Sequence, residues 1–344
     1  MRILVTGAAG FIGSAYVRHV LREQPEDTVL GLDLLTYAGN LTNLEEVRDD
    51  SRFRFVRGDI ADPDLIGQVA QDVDAIVNFA AESHVDRSLL DPAAFARANV
   101  IGVMTLLDAA RTNQLRLLQV STDEVYGHVP AGQAAPEDSP LRPRSPYAAA
   151  KAGGELMCQA YAISHGTDVV ITRGANTIGP RQYPEKLVPL FVTNALQDLP
   201  LPVYGDGRQI RNWLHAGDHA AAIVLVLRRG ATCQAYNVAA DNERENLAVV
   251  HAILDQLGKP RALIRHVEDR PGHDRRYAID TTRITEELGW KPRRDWQQTL
   301  HDTVEWYVAN PGWWQAIRLR DPRFQEFYDR QYSQRLASGI LGLT

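Results

Sequence analysis

The stretch "RILVTGAAGFIG", residues 2–13, constrains this chain more than any other. A β-branched apolar run stops at Gly7, and glycines recur at Gly10 and Gly13 before a helical pattern begins. A turn of this kind lets backbone approach a pyrophosphate closely, and it aims the free N–H groups and positive dipole end of a helix at that charge. Strand, turn and helix make the first half of a βαβ unit, and the alternation then repeats. "TVLGLD", "RFRFVRGD", "AIVNFAA", "LRLLQVS" and "VVITR" read as strands covered on both faces. "GSAYVRHVLREQ", "DLIGQVAQDV", "AAFARANVIGVMTLLDAARTN" and "YAAAKAGGELMCQAYAISHG" have helical spacing.

This order predicts an α/β fold, a Rossmann-type doubly wound parallel sheet with a smaller C-terminal α/β substrate-binding domain. The cofactor domain is expected over residues 1–176, with a returning segment at about 212–241 in which "CQAYNVAAD" rejoins the first sheet. Residues 177–211 and 242–332, with loops such as "YGDGRQIRNW" and "EDRPGHDRRYAID", are expected to form the second domain, and 333–344 a tail.

Asp33 ends the second strand about 20 residues after Gly13, where a carboxylate accepts hydrogen bonds from the adenosine ribose. The same charge repels a 2'-phosphate, so the expected cofactor is NAD rather than NADP. Asp59 and Ile60 at the next strand end offer the adenine an acceptor and a packing surface, and small Ala80 and Ala81 leave room for a dinucleotide beside the fourth strand.

Composition removes other classes. With 37 basic against 43 acidic residues and a net charge of -6, the 344-residue chain has no excess that nucleic acid or an anionic membrane would attract. There is no run of 18 apolar residues, so no membrane span is expected. Cys158 and Cys233 are too few for a disulfide framework, and no residues have metal-ligand spacing. A reduced, cytoplasmic location fits.

In "RSPYAAAKAGGE", Ser145 can cap a helix begun by Pro146, which puts Tyr147 and Lys151 four residues apart on one face. A protonated lysine beside a phenol stabilises the phenolate, so Tyr147 is expected to act as the base that takes a hydroxyl proton while hydride leaves the same carbon. Thr122 can hydrogen-bond that hydroxyl. Just before it, "LLQVSTDEVYG" ends an apolar strand in two adjacent acids, Asp123 and Glu124, where mutual repulsion and lost hydration make a purely structural role costly.

"TGAAGFIG", "FAAESHVDRS", "STDEVYG", "SPYAAAKA", "GPRQYPEKLVPLF" and "RPGHDRRYAID" together resemble the nucleotide-sugar branch of the extended short-chain dehydrogenase/reductase superfamily, and within it the dTDP-glucose 4,6-dehydratases. The resemblance runs from Met1 to about Tyr332. It implies a homodimer, tightly held NAD, and a nucleotide-sugar substrate that loses water across C5 and C6 after oxidation at C4. The acids then have work: Asp123 is the acid at the C6 hydroxyl and Glu124 the base on C5, a proton shared by the crowded pair keeping one acidic and one basic. The resemblance adds Phe11, Ile12, Thr36, Phe79, Ser83 and Thr177 to the cofactor set, alongside Tyr147 and Lys151. For the substrate it implies Ser83, Thr122, Asn176, Lys186 and Leu187 at the sugar and phosphate, Pro202, Val203 and Tyr204 at the base, and Asn246 and His273 at the nucleotide end. Lys186, Arg211, Arg270 and His273 are read as cations suited to a diphosphate.

Four positions depart from the family's usual pattern: Ala98, Thr177, Ile178 and Asn212. They leave open a 4,6-dehydratase acting on a UDP-, CDP- or GDP-linked hexose. A nucleotide-sugar 4-epimerase needs the glycine turn, Tyr147 and Lys151 but not the acid pair, and a non-catalytic NAD-binding protein needs the glycine turn but none of the active residues.

Overall fold

A computed structural model describes residues 1–337. Its strands are β1 Arg2–Thr6, β2 Thr28–Asp33, β3 Phe53–Arg57, β4 Ala75–Asn78, β5 Arg116–Thr122, β6 Val169–Gly174, β7 Asn176–Ile178, β8 Leu201–Tyr204, β9 Ile210–His215, β10 Ala235–Val238, β11 Glu243–Glu245 and β12 Ile264–Val267. The first α-helices are α1 Phe11–Glu23, α2 Pro63–Val69, α3 Val85–Leu90, α4 Pro92–Ala96, α5 Gly102–Asn113, α6 Pro146–His165 and α7 Leu187–Leu196. They continue with α8 Ala216–Arg229, α9 Asn246–Leu257, α10 Thr282–Leu288, α11 Trp296–Ala309, α12 Pro311–Arg320, α13 Pro322–Tyr328 and α14 Gln334–Ala337.

Seven strands form one sheet in the order β10-β6-β5-β4-β1-β2-β3, every neighbouring pair parallel. The strands are apolar throughout because both faces are covered. Ile3 and Val5 point into a core shared with α1 and α8, while Leu4, Leu32, Ile76 and Leu117 point into one shared with α2, α5 and α6. Chain direction across the sheet reverses between β1 and β4, and the crevice outside the carboxyl ends of strands at such a reversal is where ligands bind in open α/β sheets.

The remaining strands form a three-stranded sheet, β11-β9-β7, and a pair, β12-β8. With α7, α9 and α11 they enclose a second core around Phe191, Trp213, Val250 and Tyr307. The return to the large sheet expected over 212–241 is made by α8 and β10. Strand β9, at the start of that segment, pairs instead with β7 and β11. The expected tail at 333–344 begins inside helical backbone, a π-turn at Asp329–Ser333 followed by α14. The rest of that tail, 338–344, lies outside the described residues.

Helices α4 and α5 are joined by a π-turn, Arg97–Ile101, into a single rod from Pro92 to Asn113. By length and composition this rod is apolar enough to cross a membrane, but its inner face packs on the sheet and on α6. It is a core helix of the large domain.

Candidate active site

A long cleft runs across the carboxyl ends of the large sheet, with an empty volume of about 1640 Å³ counted out to its open mouth. It fits a dinucleotide on its own geometry. Gly7, at φ 64°, lies so close to β4's exit that a Cβ there would sit 2.6 Å from Ala80 N, so only glycine closes this turn. Helix α1 begins at Gly10 with no side-chain cap and no acid in its first turn, leaving its N-terminal N–H groups for an anion. Asp33 is buried at the end of β2, each carboxylate oxygen accepting one backbone N–H, from Ala9 (2.9 Å) and from Leu35 (2.8 Å). Each oxygen keeps a lone pair for a ribose hydroxyl.

Every residue expected at the cofactor lines this cleft: Gly7, Gly10, Phe11, Ile12, Gly13, Asp33, Thr36, Asp59, Ile60, Phe79, Ala80, Ala81, Ser83, Tyr147, Lys151 and Thr177. A second cavity, of about 870 Å³, opens between the large domain and the cap. Asn176, Lys186, Leu187, Pro202, Val203, Tyr204, Arg211, Asn246, Arg270 and His273 line it, while Ser83 and Thr122 face the first cleft. Glu124, Asn176, Glu185 and Lys186 border both, which fixes where the two spaces meet.

At that junction β5 ends in Thr122 and turns into a short 3-10 helix, Asp123–Tyr126. The Thr122 hydroxyl accepts from Glu124 N at 3.3 Å and lies 3.2 Å from Asp123 Oδ1. Asp123 is 3% exposed, and its Oδ2 has no hydrogen-bond partner among the described residues. Burial first, and then the neighbouring Glu124 charge, push its pKa up to about 7. A neutral acid beside a second carboxylate is therefore built into the strand end. Tyr277 OH lies 3.4 Å from Glu124 Oε2 and 3.0 Å from Asp274 Oδ2.

Because the folded protein holds Asp123 protonated where the unfolded chain has released that proton, rising pH between about 4 and about 7 costs stability. Above about 7 the whole penalty is present. An asparagine in its place would carry no such penalty. The Tm advantage of Asp123→Asn over the parent should accordingly be on the order of 5 °C larger at pH 8 than at pH 4. Thermal melts of the two proteins across that range check this, and a constant difference would refute the buried proton.

Helix α6 starts as expected: Ser145 accepts from Ala148 N at 3.1 Å, Pro146 follows, and Tyr147 and Lys151 are both buried on the sheet side. Their electrostatics differ from the expectation. Lys151 Nζ donates to the Val120 carbonyl at 2.6 Å, and burial brings its pKa down to about 8. The Tyr147 phenol is raised, by burial and then by the Glu124 charge, with the Thr122 hydroxyl pulling the other way. The protein's own groups therefore hold this phenol above its ordinary range.

Lys186, Arg211 and Arg270 bring three cations to the second cavity. Lys186 Nζ donates to Ser83 O at 2.7 Å, Arg211 lies over the Tyr277 ring at 4.1 Å, and Arg270 faces Asp86 at 3.5 Å. The reading of His273 as a fourth cation is corrected. Burial, then Arg270 and Arg211, lower its pKa to about 4, so it is a neutral imidazole, 2.6 Å from Asp269 Oδ1 and edge-on to Tyr204. Two of the four departures are also re-placed. Ile178 is core beside Trp213, and Asn212 accepts from Ala240 N at 3.1 Å, and neither lines either cavity. Thr177 and Ala98 do border the cofactor cleft, Thr177 with its hydroxyl 2.9 Å from His219 Nδ1.

Sequence reasoning missed Glu185, Glu82, Asp86, Tyr277 and Tyr332. Glu185 is 2% exposed and borders both cavities; Glu82 lines the cleft, burial and then Glu185 pushing its pKa up to about 7. Glu185 and Tyr277 lie inside "PEKLVP" and "RRYAID", beside cations and with no local pattern that marks them as buried.

The family model described as GDP-mannose 4,6 dehydratase matches residues 4–303. A dTDP-glucose 4,6-dehydratase of Streptomyces niveus is 50% identical over 326 residues, covering 93% of this chain and 97% of that protein. The crystal structure of the dTDP-glucose 4,6-dehydratase from Streptomyces venezuelae, with NAD and dTDP bound, superposes with a TM-score of 0.90 at 48% identity, over 92% of this chain and all of that one. A UDP-glucuronic acid 4-epimerase from Bacillus cereus, solved with UDP-glucuronic acid and NAD, shares the fold at a TM-score of 0.85 but only 27% identity, over 90% of this chain and 99% of that one. With a parallel sheet that places its glycine turn, Tyr147, Lys151 and the acid pair along one cleft, and with this extent of identity, the chain belongs to the dTDP-glucose 4,6-dehydratase family.

Proposed function

We propose that this chain is an NAD-dependent hydro-lyase that converts dTDP-glucose to dTDP-4-keto-6-deoxyglucose and water. The observation that carries the reading is the buried, high-pKa Asp123 next to Glu124 where the cofactor cleft meets the cation-lined cavity. Bound NAD supplies the hydride acceptor for C4 and the hydride donor for C6. Tyr147 takes the proton of the C4 hydroxyl, and Thr122 holds that hydroxyl in place. Once C4 is a ketone its neighbour C5 is acidic; Glu124 takes the C5 proton, and Asp123 gives its proton to the departing C6 hydroxyl, which leaves as water. Lys186, Arg211 and Arg270 hold the diphosphate, with Asn176, Ser83 and Leu187 at the sugar. Pro202, Val203, Tyr204, Asn246 and the neutral His273 receive the nucleoside.

Ile178 and Asn212 lie away from both cavities and Thr177 and Ala98 border only the cofactor cleft, so no departure changes the lining of the nucleotide cavity, which favours dTDP. Residues 1–176 with α8 and β10 act as the cofactor domain and the remainder as the substrate cap. The outer faces of α5 and α6 and the turns beside them expose Ile101, Leu156 and Ile163, the last 78% exposed. An apolar strip of this kind suits pairing with a second copy in a homodimer, in the cytoplasm.

With C4-deuterated dTDP-glucose, the label is expected at C6 of a 4-keto-6-deoxy product. Label returned to C4 would instead identify an epimerase, and unchanged substrate alongside turnover of UDP-, CDP- or GDP-glucose would move the base assignment.

A further inference from the structure

The loop after β2 borders the cofactor cleft through Leu34, Thr36, Tyr37, Ala38 and Gly39. Leu35 within it sits at φ 59°, a left-handed conformation that non-glycine residues seldom adopt, held locally by its N–H bond to Asp33. Further support comes from the far end of the chain. The Arg87 guanidinium lies 3.9 Å above the Tyr37 ring and 4.1 Å from the Phe327 ring of α13, while its Nε donates to Glu185 at 2.9 Å. The Tyr37 ring meets Tyr183 edge-on at 5.5 Å, and Tyr183 meets Phe324 of α13 at 6.1 Å.

A second connection is polar. Trp313 of α12 donates its indole N–H to Asn43 Oδ1 at 3.1 Å, and Asn43, 2% exposed, donates from Nδ2 to the Ala9 carbonyl at 2.9 Å. Ala9 belongs to the glycine turn at the pyrophosphate end of the cleft. Helices α12 and α13 thus reach the cofactor loop through Arg87 and Tyr183 and the glycine turn through a buried amide, yet Trp313, Asn43, Arg87 and Phe327 do not line the cleft.

We infer that α12 and α13 form a clasp that retains NAD, with Trp313, Asn43 and Arg87 as positioning residues that hold the cofactor loop and the glycine turn closed on it. This rests on the assignment of the cleft to NAD. Arg87 on the Tyr37 ring and the Trp313–Asn43–Ala9 relay both oppose movement of that loop and turn away from the cleft. Trp313→Phe keeps a ring in the cluster while removing the N–H donor and part of the ring, a loss of volume that Trp306→Phe matches, and Arg87→Lys keeps the charge beside Glu185 while losing the planar stack.

The test is the rate at which NAD bound to the full-length protein exchanges with excess labelled NAD. Trp306→Phe serves as the control, since Trp306 packs on Trp313 at 5.1 Å while the hydrogen bond to Asn43 Oδ1 comes from Trp313. Trp313→Phe and Arg87→Lys are each expected to release NAD about fivefold faster, as loss of one buried hydrogen bond or stack implies. Trp306→Phe should stay within about twofold of the parent, and Trp313→Phe should keep its turnover at saturating NAD. Parent-like release by both Trp313→Phe and Arg87→Lys would overturn the clasp, as would equal acceleration by Trp306→Phe, which would mean general loosening. A parent protein that carries and binds no NAD would overturn the cofactor assignment itself, a result distinct from either.

Discussion

Glu124→Gln is expected to retain bound NAD and to lose product formation by about 10³-fold, within the range that removal of a positioned general base costs. Glutamine fills the same space between the two cavities and can still accept from Tyr277, so binding on either side should survive. What it cannot do is take a proton from C5. The deuterium of a C4-labelled substrate should therefore still leave the sugar, while C5 takes up no solvent hydrogen. A second effect follows from the electrostatics. The Glu124 charge is, after burial, the next cause of Asp123's high pKa, so the variant's Asp123 should titrate below about 7. Exchange into C5 measured by NMR, together with product absorbance, decides the matter; full turnover by this variant would remove Glu124 from the mechanism.

Tyr147→Phe should abolish the earlier half of the reaction, with loss of the C4 label slowed by about 10³-fold or more. The phenol is buried and pushed above its ordinary range, so its base form is scarce at neutral pH unless positive charge accumulates beside it. The nicotinamide of an oxidised cofactor, when bound, would bring such a charge, since Lys151 is not among the groups that shift this phenol. The phenolate fraction grows with pH, so the parent's rate of C4 oxidation should rise through the acid limb. The residual activity of Tyr147→Phe should lack the rising limb. A variant that keeps both the rate and the pH dependence would show that another group takes the proton.

The two predictions divide the chemistry as the chain divides it. Glu124 comes from the 3-10 turn that follows β5 and Tyr147 from the start of α6, both within the single crossover that joins β5 to its parallel neighbour β6. The β5 end was legible from "STDEVYG" and the α6 start from "SPYAAAK", since a strand that stops in a hydroxyl and two acids and a helix that presents Tyr and Lys four apart are local patterns. Which group would dominate the other's pKa was not legible. Spacing pointed to Lys151 acting on Tyr147. In the folded protein Lys151 donates its hydrogen bond to the Val120 carbonyl, and the charge that bears on the phenol is that of Glu124, 23 positions earlier in the chain. His273 is a similar case. A histidine among arginines reads as a cation, and burial beside those same arginines makes it neutral.

Periodicity and glycine spacing were enough for the parallel sheet, the order of its elements, and the glycine turn with Asp33, whereas Phe11, Ile12, Thr36, Phe79, Ser83 and Thr177 of the dinucleotide cleft came from the family resemblance. Tertiary structure alone decided which groups carry charge, that Ile178 and Asn212 support the cap rather than shape the pocket, and that helices some 300 residues from the glycine turn reach back to hold it. The physical reason is the same throughout. Backbone preference and apolar pattern are local properties of a chain, whereas desolvation and Coulomb interaction depend on which distant residues the fold brings within a few ångströms.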